Sequence, residues 1–248
     1  MRLVVISEAL ADFTIATELA DRVFVAEIGW LEEELLESQR QWVGEDTPGN
    51  HLTWTSVARR ARSLGIRAQG HFHGEPGLAD ARAARRAIRY VLRRFETVDA
   101  ILLIRDMDDQ KERRQGLEQA RREHASGERI VIGLANSERE CWVISGFMPA
   151  SESEVQLLDE ERRKLGGDPC LRSHELTACK QEHALRSPKR VLAVLTGGDW
   201  NRQCKCWRDT PLSLLGERGS ENGLADYLGE IGTLLVRMMT RRPRNRTE

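Results

Sequence analysis

Asp99-Ala-Ile-Leu-Leu-Ile-Arg-Asp-Met-Asp-Asp109 decides the fold of this chain. Residues 99–105 are almost continuously apolar, the pattern of a strand buried on both faces of a parallel sheet. Asp106 and Asp108 follow at once, with Asp109 adjacent. Two similar runs lie on either side: LVVI at residues 3–6, which leads into Glu8, and RIVIGL at 129–134, which leads into Glu138 and Glu140. Helical periodicity fills the intervals. Residues 9–22 carry a stripe of Phe13, Ile15 and Leu19 that extends to Val23, and residues 78–95 carry Ala84, Ile88, Val91, Leu92 and Phe95 on one face. A charged helix is predicted over 110–124. Strands alternating with helices predict an α/β fold, a mainly parallel sheet flanked by helices on both faces. In such sheets functional groups collect beyond the carboxyl ends of the strands.

The segment between the first and second of these strands is less regular. It reads as a short acidic helix near 31–40, a loop at Thr47-Pro48-Gly49-Asn50, a helix over 56–64 closed by Gly65, and a further strand, IRAQGHF, at 66–72. Past residue 150 the alternation stops. The rest reads as mostly helical, with loops at 166–169 and 197–199. The predicted organisation is an α/β domain over 1–150 and a helical C-terminal extension over 151–248.

Composition narrows the classes. With 40% hydrophobic and 31% charged residues, this is the make-up of an ordinary globular protein. No apolar run approaches the roughly 20 residues needed to span a bilayer, and 3–6 is too short for a signal-peptide core. A cytoplasmic protein with no membrane partner is expected. The five cysteines, an odd number, read as reduced thiols. The net charge of −1 gives no global pull towards nucleic acid. Arginine is nevertheless concentrated in the helix at 78–95, where Arg82, Arg85, Arg86 and Arg89 are candidates for contact with a phosphate backbone.

The acids carry the chemistry. Glu8, with Asp12 one helical turn later, follows the first strand; Asp106 and Asp108 follow the second. Two carboxylates at i and i+2 beyond an extended segment can point the same way. They suit a hard divalent cation such as Mg²⁺ or Mn²⁺, which keeps waters and binds phosphate oxygens. Asp and Glu in these places also serve as helix caps, and that reading stands beside the catalytic one. A haloacid-dehalogenase-type phosphatase would also use Asp-x-Asp after a strand, but it would need a Thr where this chain has Gln110.

VVISEALAD (4–12) and ILLIRDMDD (101–109) resemble the two motifs of TOPRIM domains, found in topoisomerases, DnaG-type primases and OLD-type nucleases. In these a hydrophobic strand ends in Glu-Gly-x-x-Asp and a later one in Asp-x-Asp. Here Ala9 stands in place of the glycine. Glu140-Cys141-Trp142 resembles the Glu-x-Trp element of small stand-alone TOPRIM-like proteins, and Ser187-Pro188-Lys189 their Pro-Lys helix start. The motifs cover residues 1–147. The resemblance implies a Rossmannoid sheet and a Mg²⁺-dependent nuclease, with DNA ranked ahead of RNA. It implies Glu8, Asp106 and Asp108 as catalytic residues, and Asp12 and Glu140 beside them as further metal ligands. Because such proteins are often encoded beside ATPases in anti-phage loci, it also implies an ATPase partner. Two rival expectations are an interaction module that regulates the ATPase with weak catalysis, and a small-molecule phosphohydrolase. A homo-oligomer is compatible with all three.

Overall fold

The computed structural model describes residues 1–44, 51–68, 70–124 and 129–241. The chain opens with β1 (Arg2–Ser7), in which Leu3, Val4, Val5 and Ile6 have no exposed surface. Helix α1 (Leu10–Glu27) buries Ile15, Leu19, Val23 and Phe24. A short α2 (Leu36–Gln39) leads to β2 (Gln41–Val43), and β3 (Leu52–Thr53) runs directly into α3 (Trp54–Ser63). A small hairpin, β4 (His71–Phe72) with β5 (Glu75–Pro76), precedes α4 (Ala79–Arg94). Then come β6 (Ala100–Asp106), α5 (Arg113–Glu123), β7 (Ile130–Ala135) and α6 (Glu140–Ser145). Only helical elements follow: α7 (Glu152–Leu165), α8 (Pro188–Thr196), α9 (Trp200–Arg208), α10 (Leu212–Arg218) and α11 (Leu224–Glu230). The series ends in a π-helical segment (Ile231–Val236) and α12 (Arg237–Arg241).

The sheet order is β2-β1-β6-β7, with β3 also paired to β1. β1 is parallel to β2, β3 and β6; Leu3 lies opposite Ala100 and Ile6 opposite Leu103. Ala100 to Ile104 are all buried and so is every residue of β7, as their unbroken apolar pattern requires. The α/β class, the mainly parallel sheet and the helical C-terminal part are therefore as the sequence predicts. Among the described residues no helix is long and apolar enough to cross a membrane.

Three local expectations are corrected. Residues 66–72 do not form a sheet strand. Of the described residues there, only His71 and Phe72 are extended in pairing, and they pair with Pro76 and Glu75 across a turn at His73 and Gly74, whose φ values are 48° and 88°. Second, β2 joins the sheet beside β1 although no periodicity announces it. Third, Leu92 is 51% exposed, and the buried face of α4 takes in Arg85 instead. The loop expected at Thr47-Pro48-Gly49-Asn50 lies outside the described residues.

Two compact units divide the chain, and neither follows a boundary at 150. One comprises Met1–Ile104, Glu112–Ile132 and Leu228–Glu248; the other comprises Arg105–Lys111 and Gly133–Tyr227.

Candidate functional site

In the second unit the segments that follow β6 and β7 are tied together. The Met107 amide donates to Ala135 O at 2.8 Å and to Ser137 O at 3.1 Å, and the Asp108 amide also donates to Ser137 O at 3.1 Å. The Arg139 amide donates to Asp106 Oδ1 at 2.8 Å. These bonds bring the Asp106-x-Asp108 pair to the Glu138-x-Glu140 pair. Asp108 and Asp109 both take left-handed φ values, 46° and 60°. Asp tolerates that region better than most residues, and such outliers gather at functional sites.

The carboxylates differ in depth. Asp106 and Asp108 are half-buried and Asp109 is exposed, whereas Glu138 and Glu140 are buried. Glu140 takes an ion pair from Arg139 at 2.7 Å. Glu138 Oε1 lies 3.1 Å from Lys189 Nζ, at the start of α8, while its Oε2 is buried with no hydrogen-bond partner among the described residues. Burial pushes the Glu138 carboxyl above the ordinary carboxylate value, and the negative charges of Glu140 and Asp108 add to that, against the pull of Lys189. On Lys189 the bond to Glu138 outweighs burial and raises the ammonium pKa. A buried carboxylate with a raised pKa and a free oxygen is a group prepared to take up a proton or a cation.

Glu138 is the residue that sequence reasoning passed over. Its signal was present, since Glu138 and Glu140 repeat the i, i+2 spacing of Asp106 and Asp108 just past a strand. Lys189 was visible only as part of Pro188-Lys189. Cys179 is buried nearby, and its thiol is pushed up by burial and by Glu138, Asp109 and Asp108. All five cysteines are buried and unbridged, and burial raises the Cys141 and Cys206 thiols to about 12, so neither ionises readily at neutral pH.

The remaining candidates lie in the first unit. Glu8 is exposed at the end of β1. Asp12 turns back on its own helix start: its Oδ2 accepts from the Glu8 amide at 3.1 Å and the Ala9 amide at 2.7 Å. That is the capping arrangement of a first-turn carboxylate, and it engages the oxygen that a metal would have needed. Arg82 and Arg89 are exposed and Arg86 is half-buried. Arg85 is 1% exposed. Its guanidinium is held by both oxygens of Glu123, donates to His71 O at 2.7 Å and stacks 3.5 Å over the Phe72 ring. An arginine so enclosed cannot reach a phosphate backbone, and the expectation for Arg85 is corrected to a structural one.

The fit to Mg²⁺ is incomplete. Carboxylate oxygens are the donors such an ion takes. Yet among the described residues no group of three or more His, Cys, Asp or Glu is gathered so that it could hold a metal ion.

No protein-family model matches the chain, and no curated protein or solved structure matches it at a significant level.

Proposed function

We propose that this chain is a TOPRIM-like nuclease, hydrolysing phosphodiester bonds with Asp106, Asp108, Glu138 and Glu140 as its acidic centre. One observation carries the reading: two carboxylate pairs from consecutive strand ends are bonded together around a buried acid with a free oxygen. Hydrolysis of a phosphodiester needs a base to take the proton of the attacking water and positive charge facing the phosphoryl oxygens. Glu138, with its raised pKa, suits the first task. Lys189 and Arg139, each already beside a carboxylate of the group, suit the second. Glu8 belongs to this reading through its motif alone, as does the Mg²⁺ or Mn²⁺ requirement. Arg82, Arg86 and Arg89 supply the proposed nucleic-acid surface.

The test is a supercoiled-plasmid nicking assay run with Mg²⁺, with Mn²⁺ and with EDTA. Nicking that depends on the added ion supports the reading; an intact plasmid under all three conditions, at micromolar protein, overturns it.

A second reading is favoured by the same ion pairs. With Glu138 and Glu140 already neutralised from within, the unit can serve as an interaction module for an ATPase with little catalysis of its own. Affinity purification from the native host should then recover an ATPase reproducibly. Recovery of the chain alone, fully active on plasmid, removes the reason to invoke a partner.

A further inference from the structure

The carboxylates of the second unit do not gather into a metal group, and their ion pairs give a physical cause. Glu140 is engaged by Arg139, its neighbour in sequence. Glu138 is engaged by a residue from another element, Lys189 of α8, and the two side chains differ sharply in exposure, 5% against 44%. The carboxylate is fixed and deep, while the ammonium rides on a long, flexible stem that can withdraw into solvent without unfolding anything. The pair is also incomplete. Lys189 meets only Oε1, and Oε2 is left buried and unpartnered among the described residues. A buried carboxylate oxygen without a partner is costly, and an ordinary fold satisfies it. A divalent cation, with its waters, would engage both oxygens and answer the Asp108 and Glu140 charges as well.

We propose that Lys189 is a tethered stand-in for a divalent cation at Glu138, so that a metal ion enters this site by displacing the lysine rather than by filling an empty place. This rests on the reading of the second unit's carboxylates as the working centre and adds how that centre is controlled. The resident ammonium keeps the acids folded together when no ion is present. It also sets the ion concentration at which the site changes hands, since the ion must overcome both the lost pair and like-charge repulsion.

Isothermal titration with Mn²⁺ alone, on the full chain, tests it. Lys189→Met should bind Mn²⁺ about tenfold more tightly than the wild type, the scale expected from removing one competing charge near a protein surface. The gain should vanish in the double variant Glu138→Gln with Lys189→Met. Lys189→Arg, which keeps the charge and can grip both oxygens, should bind Mn²⁺ more weakly than the wild type; it also supplies the test should Lys189→Met fail to fold. Equal Mn²⁺ affinity in the wild type and in the folded Lys189 variants overturns the proposal, as does a gain that survives Glu138→Gln. The functional reading fails differently. A displacement seen in titration beside a plasmid never cut by the wild type leaves the stand-in standing and removes the nuclease. Cutting that Asp108→Asn abolishes, with unchanged Mn²⁺ affinity in the Lys189 variants, does the reverse.

Discussion

Glu161→Gln is expected to lower the melting temperature of the protein by roughly 10 °C. Glu161 lies on α7 with no exposed side-chain surface. Arg190 of α8 grips both its oxygens, at 3.1 and 2.5 Å, and Lys164 Nζ adds a third contact at 3.2 Å. Burial alone would push this carboxyl up, but the bonds from Arg190 and Lys164 outweigh it and hold the carboxyl below its ordinary value. Removing the charge leaves a guanidinium only 19% exposed without its counter-ion. Breaking such a pair costs about 3 kcal/mol, the low end of the usual range because Arg190 keeps some access to water. The sign of the pH dependence follows from the lowered pKa. The stabilisation is complete above the unfolded-state carboxylate value and is lost as pH falls through the lower folded-state value. The gap between wild type and variant in calorimetry should therefore be full at neutral pH and close in acid. A shift below about 2 °C at pH 7 would show that the pair contributes nothing net, as exposed pairs often do. The site is affected too, because Arg190 adjoins Lys189. A loosened α8 carries its lysine away from Glu138, so Glu161 acts as a positioning residue for that pairing.

What was legible in the sequence is what local pattern encodes. The unbroken apolar run at 100–104 could be nothing but an interior strand, and the acids that end it sit where chain direction alone puts them. β2 was invisible because three residues, Gln41–Val43, are too few to show a period. The case of Arg85 is more instructive. Helical spacing from Ala81 and to Ile88 puts residue 85 on the buried face, while its charge argued for the outside. Charge loses here because Glu123, the His71 carbonyl and the Phe72 ring together satisfy the guanidinium, and none of these is a local neighbour in the helix. Glu138 and Lys189 stayed hidden for the same reason. The sequence shows an acid past a strand and a lysine at a helix start, but only the folded second unit pairs them.

Asp108→Asn is expected to reduce DNA cleavage by at least about a hundredfold, the usual scale for a group that takes part in proton transfer or charge stabilisation. DNA affinity should hold or rise slightly, because one negative charge near the phosphate is gone. Substituting Arg82, Arg86 and Arg89 together by alanine should do the opposite. Binding should weaken, the slope of log affinity against log salt should fall by about 0.9 for each phosphate no longer neutralised, and cleavage should return at high DNA concentration. Arg85 is kept out of this set, since its loss would disturb the core around Phe72 and confuse binding with folding. Gel-shift titrations at two salt concentrations, beside a plasmid-nicking time course for each variant, separate the two effects. Glu8→Gln completes the comparison, because Glu8 enters from the first unit and on its motif alone. If Asp108→Asn fails to cut while Glu8→Gln cuts at the wild-type rate, the centre is confined to the second unit and Glu8 leaves the reading. If both cut at the wild-type rate, the acidic pairs are structural, and the nuclease assignment goes with them.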